Sequence, residues 1–325
     1  MLTLVSLIGP QESLHRELNG AAADYAMRLG MNYEWRPLDQ WSPTAALEAL
    51  RDADVAIIGT EQYDAALINQ LPSRTRLLVR FGVGFDGVDI EAATARDIAV
   101  ARTIGANARG VAEMALTLVL ALRRKIVPQH LAGATPWSPL VGDELTGTVG
   151  IIGLGAVGRA LASLLQGFGV RVIAHDPFTD TADGVDTVYR DLDDMLAEAD
   201  VVSLHLPYLA ETHHLFDADR FERMKPGAVL LNTARGALVD EAALVDALTS
   251  GHLGGAGLDV FETEPLPESS PLRTMPNVVL TPHSASQTRE ALTSIYMMSV
   301  DIANDFAAGQ ASPALLNPEV MPIQA

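Results

Sequence analysis

Short apolar runs alternate with helical patterns along this chain, and the alternation starts twice. The first series reads "LTLVSLI", "LHRELNGAAADYAMRLG", "ADVAIIG", "DAALINQL", "TRLLVRFG" and, after "DIEAATARD", "IAVAR". Unbroken apolar runs this short are strands buried on both faces, and strands separated by helices pair in parallel. A long apolar helix is expected over residues 107–125 ("NARGVAEMALTLVLALRRK"), and the pattern then restarts at "TVGIIGLG". The second series continues through "GVRVIAHD", "ADVVSLHLP", "GAVLLNTARG", "GGAGLDVF" and "NVVLTPHS". At 325 residues the chain is too long for one small core and long enough for two. The expectation is an α/β protein with two doubly wound parallel-sheet lobes, one from 1–101 with 287–325 and one from 102–286. The last helical pattern, "REALTSIYMMSVDIANDFAAG", is expected to dock on the first lobe. The long helices near 107–125 and 287–308 would cross between the lobes, with a cleft between them.

The restart carries the most specific local signal. In "GIIGLGAVGRALASLLQGFGVRVIAHDP", Gly153, Gly155 and Gly158 form G-x-G-x-x-G between an apolar strand and a helix. Glycines at that spacing permit a tight turn, backbone approach to a pyrophosphate, and close packing of helix on strand. The helix N-terminus then faces the phosphates. Asp176 follows the next apolar strand, where a carboxylate accepts hydrogen bonds from a ribose. An acidic residue there repels a 2′-phosphate and the following "PFT" holds no arginine to receive one, so NAD is expected rather than NADP.

Acidic residues outnumber basic ones 41 to 22, for a net charge of −19, and "RRK" at 123–125 is the densest basic run. A surface for duplex nucleic acid has little to work with, and a small anionic substrate needs a local positive pocket. The absence of cysteine excludes disulfides, thiolate metal sites and cysteine nucleophiles, and no metal site is expected. "MLTLVSLIG" lacks a basic leader and a cleavage signature, and reads as a strand. The longest apolar run, "MALTLVLAL" at 114–122, falls short of the ~20 residues of a membrane span. A cytoplasmic protein without membrane or nucleic-acid partners is the expectation.

The stretch "VLLNTARGALVDEAAL" puts Arg235 where a fold does not ask for one, between a buried strand and the helix opened by Asp240. Glu264 in "GLDVFETEPLP" and His283 in "VVLTPHSASQT" likewise lie just past strand ends, the edge at which open α/β sheets bind ligands. The three suit hydride transfer between a nicotinamide and a carbonyl carbon. The histidine titrates near neutrality and can protonate the forming alkoxide. A carboxylate beside it favours the imidazolium and holds the ring. A guanidinium binds a substrate carboxylate and polarises the neighbouring carbonyl.

With these motifs the chain resembles the D-isomer-specific 2-hydroxyacid dehydrogenase family over about residues 50–310, including its phosphoglycerate dehydrogenase-like branch. The resemblance implies a flavodoxin-like substrate domain beside a Rossmann NAD-binding domain, and a homodimer formed through the latter. It makes Arg235 the substrate arginine, Glu264 the histidine's partner and His283 the acid-base. In "RFGVGFDGVD" it assigns the N–H groups of Val83 and Gly84 to the substrate carboxylate, with Arg80 nearby, and it brings Asn107 to the substrate. Val111 would lie against the nicotinamide. Cofactor contacts are implied at Ala156, Val157, His205, Pro207, Thr212, Thr233, Asp259 and Ala285. Gly110 departs from a pattern in which serine is common. The substrate implied is a small 2-hydroxy or 2-keto acid.

Each of these residues also has a plainer reading. A histidine after a strand is often a surface or satisfied core residue, and Asp259 could simply cap a loop. His213 and His214 are read as surface residues, Trp137 as packing at the junction of the lobes, and the Met and Leu residues of 114–122 as core. A second function stays open, an NAD(H)-sensing corepressor-like binding protein of the same fold. With no long tail or regulatory module in the chain, the enzyme is the favoured expectation.

Overall fold

Alternate residues of one strand show how the first sheet is covered. Val55 and Ile57 pack with Leu18, Ala22 and Tyr296 on one side, while Ala56 and Ile58 pack with Leu50, Leu67 and Ile68 on the other. The period of two sends successive side chains to opposite faces, so a run apolar at every position is covered on both. The sheet holds β1 (Thr3–Ser6), β2 (Asn32–Trp35), β3 (Val55–Ile58), β4 (Leu77–Arg80) and β5 (Ala99–Arg102), all parallel, in the order β2-β1-β3-β4-β5. The helix Arg289–Ala307 packs on the helix Ser13–Arg28 and on β4, so the end of the chain does return to the first sheet.

The second sheet holds β6 (Thr148–Ile152), β7 (Arg171–His175), β8 (Thr187–Tyr189), β9 (Val201–Leu204), β10 (Val229–Asn232), β11 (Gly255–Leu258) and β12 (Val278–Leu280). These are parallel in the order β12-β11-β10-β9-β6-β7-β8. The helix Ala108–Arg123 covers one face through buried Ala112, Ala115, Leu118 and Val119. Of the residues expected in the core near 114–122, Met114, Leu116, Leu120 and Leu122 are only partly buried.

This computed structural model describes residues 1–9, 13–133, 140–189, 191–310 and 312–320. Trp137 lies outside them. The chain divides into two compact units, Met1–Asn107 with Arg289–Ala325, and Ala108–Thr288. The first unit runs on past β5 because Thr103 is tied into it. Its N–H donates to Gly82 O at 3.0 Å, and the Gly82 N–H donates to Thr103 Oγ1 at 3.0 Å. Two strands, β2 and β8, have no apolar run in the sequence. Both are sheet edges whose residues stay partly exposed, so nothing forces them to be apolar. Among the described residues no helix is long and apolar enough to cross a membrane, and no cluster of His, Asp and Glu could hold a metal ion.

Candidate active site

The three glycines after β6 serve different ends. Gly153 takes φ +93°, open to glycine at little cost, and a Cβ on it would lie 2.7 Å from His205 O. A Cβ on Gly158 would lie 2.0 Å from Gly153 O, so only glycine lets the helix Ala156–Leu165 sit this close to the strand end. Gly155 has open space where its Cβ would be, and as N-cap it leaves the helix without a side-chain cap. The uncapped helix start, at Ala156 and Val157, is free to receive a phosphate.

Asp176 closes this turn. Its Oδ2 accepts the Leu154 N–H at 2.7 Å and its Oδ1 the Phe178 N–H at 2.8 Å, which leaves each oxygen capacity for a ribose hydroxyl. Nearby, His205 Nε2 pairs with the buried Ser203 Oγ at 2.9 Å. Burial lowers this imidazole to about 4 although part of the residue reaches solvent, so it is neutral at physiological pH. Thr212 Oγ1 ties its own loop, accepting from Leu209 N–H and donating to Pro207 O at 3.1 Å. The Thr233 hydroxyl is buried without a partner. An uncapped helix start, a ribose acceptor and an orphaned hydroxyl fit a dinucleotide.

The charged groups after β10, β11 and β12 converge. His283 Nδ1 and Glu264 Oε2 are 2.7 Å apart, and Glu264 Oε1 accepts the Phe261 N–H at 3.1 Å. Burial alone would raise the Glu264 pKa. The hydrogen bonds from His283 and Phe261 and the charges of His283 and Arg235 outweigh it and hold the carboxyl below its ordinary range. A cavity of about 530 Å³, lined also by Phe261, Leu266, Leu280 and Pro282, opens on the pair.

Arg235 reaches this place because the residue after it is glycine. A Cβ on Gly236 would lie 1.9 Å from the carbonyl carbon of Phe261, so the two loops touch backbone to backbone. Asn232 fixes the loop from within, its Nδ2 donating to Arg235 O at 2.8 Å and its Oδ1 accepting the Ala234 N–H at 3.0 Å. Asn232 went unmarked in the sequence, as did Ser203, since both read there as strand residues.

His283 sits at φ +50°, a left-handed conformation that a non-glycine residue seldom takes. Asp259 holds it there. The His283 N–H donates to Asp259 O at 2.7 Å, and the fully buried carboxylate accepts from Thr281 Oγ1 (2.6 Å), Ser284 N–H (2.8 Å) and Ala285 N–H (2.9 Å). Asp259 thus caps the histidine loop, the alternative that the sequence left open. Val111 is buried on the helix Ala108–Arg123. A Cβ on Gly110 would meet Thr288 Cγ2 at 3.3 Å and Ala285 O at 3.4 Å, a tight contact on the helix Ala108–Arg123. His213 and His214 stack at 3.9 Å, and His214 pairs with Glu262 at the surface.

In the first unit, the N–H groups of Val83 and Gly84 donate to no acceptor among the described residues. Arg80 ends β4, buried, with Nη1 donating to Phe81 O at 3.0 Å. Its register partner on β5 is Arg102, whose guanidinium lies 5.1 Å from the Phe85 ring centroid and whose buried Nε has no partner. Burial lowers the Arg102 pKa. Two arginines at adjacent strand ends form the local positive field that an anionic substrate needs. The pairing follows from strand register, which the sequence does not display. The Asn107 Oδ1 is likewise buried and unpartnered.

Residues 116–285 match the NAD binding domain of D-isomer specific 2-hydroxyacid dehydrogenases. The chain is 38% identical over 313 residues to a glyoxylate reductase of Aeropyrum pernix, covering 91% of this chain and 93% of that one. It is 41% identical over 272 residues to the D-3-phosphoglycerate dehydrogenase of Mycobacterium leprae, covering 81% of this chain and 51% of that protein. The NAD complex of a D-isomer specific 2-hydroxyacid dehydrogenase from Lactobacillus delbrueckii ssp. bulgaricus superposes with a TM-score of 0.79 at 26% identity, over 98% of this chain and all of that one. The chain belongs to the D-isomer specific 2-hydroxyacid dehydrogenase family and is an NAD-dependent oxidoreductase acting on a CH–OH group.

Proposed function

We propose that the protein reduces a small, unphosphorylated 2-keto acid to the 2-hydroxy acid, with His283 as proton donor, Glu264 as its partner and Arg235 as the substrate-binding cation. The observation that carries this reading is the 2.7 Å contact of His283 Nδ1 with Glu264, beside a loop that brings Arg235 within electrostatic range of the same carboxylate. Bound at the glycine turn, NADH supplies the hydride for the keto carbon. The protein's own part is to hold the substrate and move one proton. Arg235 neutralises the carboxylate and draws electron density from the carbonyl, and His283 Nε2 delivers a proton to the oxygen as its charge develops. Glu264, charged below the usual carboxylate range, keeps that proton available and orients the ring. Val83 and Gly84 offer two unpaired N–H groups to the substrate carboxylate.

A phosphorylated substrate fits less well. At the end of β3 the Glu61 carboxylate lies against Gly59, where a Cβ would be 2.4 Å from Glu61 Oε2. A dianion there meets a like charge, which at an intermediate dielectric is worth several kcal/mol against it. With NADH, glyoxylate, hydroxypyruvate and pyruvate homologues should show higher kcat/KM than 3-phosphohydroxypyruvate. A tenfold preference for the phosphorylated compound would assign Arg80 and Arg102 to its phosphate instead. No oxidation of NADH with any keto acid would overturn the reading itself.

Two variants test the parts. Asp176→Ala removes a charged acceptor and should weaken NADH binding by about 10- to 100-fold while narrowing the gap to NADPH. An unchanged NADH/NADPH ratio in fluorescence titrations would remove Asp176 from the ribose. Glu264→Gln removes a negative charge that favours the imidazolium, so the alkaline limb of keto-acid reduction should move to lower pH. The sign on the acid side is the reverse. The lowered Glu264 pKa keeps the ion pair intact below the ordinary carboxylate value, and it is lost only as pH falls through the folded value. An unmoved alkaline limb would break the pairing. We also infer a cytoplasmic homodimer, built through the cofactor unit as the family resemblance implies, and sedimentation at micromolar concentration checks its state.

A further inference from the structure

The helix Glu241–Thr249 opens with a carboxylate that reaches away from its own helix. An acidic residue in the first turn favours a helix by facing its N-terminus, but Asp240 already caps this one, accepting the Ala243 N–H at 3.0 Å. The Glu241 side chain crosses to the next loop, where its Oε1 accepts the Glu262 N–H at 2.6 Å. Two successive N–H groups of that loop are thus taken by carboxylates, Phe261 by Glu264 at 3.1 Å and Glu262 by Glu241. From the same side Gly236 packs directly on the Phe261 carbonyl. The segment that carries Glu264 is therefore fastened to the loop that carries Arg235.

Glu241, Glu262 and Glu264 place three carboxylates along this edge, and two of them are matched. Glu262 Oε1 lies 2.5 Å from His214 Nε2, and His214 is itself fixed by its N–H to Ala237 O at 2.8 Å. Glu264 has His283 at 2.7 Å and the charge of Arg235. Glu241 has no basic partner among the described residues. On the helix Ala218–Arg223, which packs against its own, Arg220 and Arg223 pair with Asp193, and Asp217 caps that helix. The charges that act on Glu241 are those of Glu262 and Glu264. Burial raises its pKa and these two charges add to the rise, against the lowering effect of the Glu262 N–H. An unmatched, half-buried carboxylate opposes folding, and its field falls on the pair beside it.

We propose that Glu241 is a positioning residue for the reduction, holding the Glu264 loop toward His283 and adding a second negative charge that favours the imidazolium. This rests on the reading of His283 as the proton donor. With two carboxylates near it the imidazolium gives up its proton less readily, so the donor stays loaded to higher pH. As pH falls, Glu241 takes a proton before Glu264, whose pKa is lowered, so the added charge acts on the alkaline side.

Two substitutions separate the hydrogen bond from the charge. Glu241→Gln removes the charge and keeps an amide oxygen for the Glu262 N–H, whereas Glu241→Ala removes both. With glyoxylate and NADH, Glu241→Ala should lower kcat by about tenfold, and Glu241→Gln should recover most of that loss. In both variants the alkaline limb should move to lower pH, by about 0.3 pH unit or more at about 0.05 M salt and by less at about 1 M. The proton NMR titration of the His283 ring, which needs no turnover, should move the same way in Glu241→Gln. A structural role alone would lower the thermal midpoint of Glu241→Ala and leave the limb and the ring titration in place, and that result overturns the proposal. So does a kcat within about twofold of the parent in Glu241→Ala. If the ring titration moves and no keto acid is reduced, the failure lies in the functional reading and not in Glu241. If keto acids are reduced and the titration stays where it was, the functional reading stands and the role of Glu241 falls.

Discussion

Replacing His283 by alanine lowers kcat by about 10² to 10⁴, while NADH still binds. At 1.36 kcal/mol per decade this is roughly 3 to 5 kcal/mol of transition-state stabilisation. It comes from one proton, placed where an alkoxide forms and otherwise drawn from water. The fold should survive the change. The His283 side chain is exposed and among the described residues bonds to Glu264 alone, and its strained backbone is held through the main-chain N–H to Asp259 O, which alanine keeps. NADH binding is untouched because the glycine turn and Asp176 lie on β6 and β7, apart from the loop after β12. Stopped-flow turnover and NADH titration check the two halves. Turnover near that of the parent would place the proton donor elsewhere.

Asp259→Ala should act on the same loop from beneath and cost stability as well as rate. Its buried carboxylate is the shared acceptor for Thr281, Ser284 and Ala285, and the site is fully buried. Truncation leaves three donors without an acceptor, each at about 1 to 3 kcal/mol, so a loss of about 3 kcal/mol or more is expected. For a unit of this size that lowers the thermal midpoint by about 6 °C or more. Freed from its clasp, the loop has less to hold His283 at φ +50°, and kcat should fall too. Asp259→Asn, which keeps the shape but not the acceptor capacity, should fall between. A midpoint within about 1 °C of the parent would mean that water fills the gap and that the clasp is dispensable.

The fold was legible where burial was complete. β3 and β4 are covered on both faces, so every position must be apolar or paired, and the run shows in the sequence. β2 and β8 lie at edges, where partial exposure lets Asn32, Glu34 and Thr187 stand, and no pattern of residues marks them. The boundary between the units shifted for a related reason. Thr103 belongs to the first unit through bonds to Gly82, a partner distant in sequence.

Sequence alone determined the two sheets, the glycine turn with Asp176, and the order of Arg235, Glu264 and His283 after successive strands. Each of these depends on spacing within a short stretch, which local geometry converts directly into position. Tertiary structure decided what those residues touch. It set the Cβ-free contact of Gly236 with Phe261, the clasp of Asp259, and the pairing of Arg102 with Arg80. The physical reason is that a hydrogen bond or a close approach requires two groups within a few ångströms. For segments far apart along the chain, that distance is set only once strand register and helix packing have placed both.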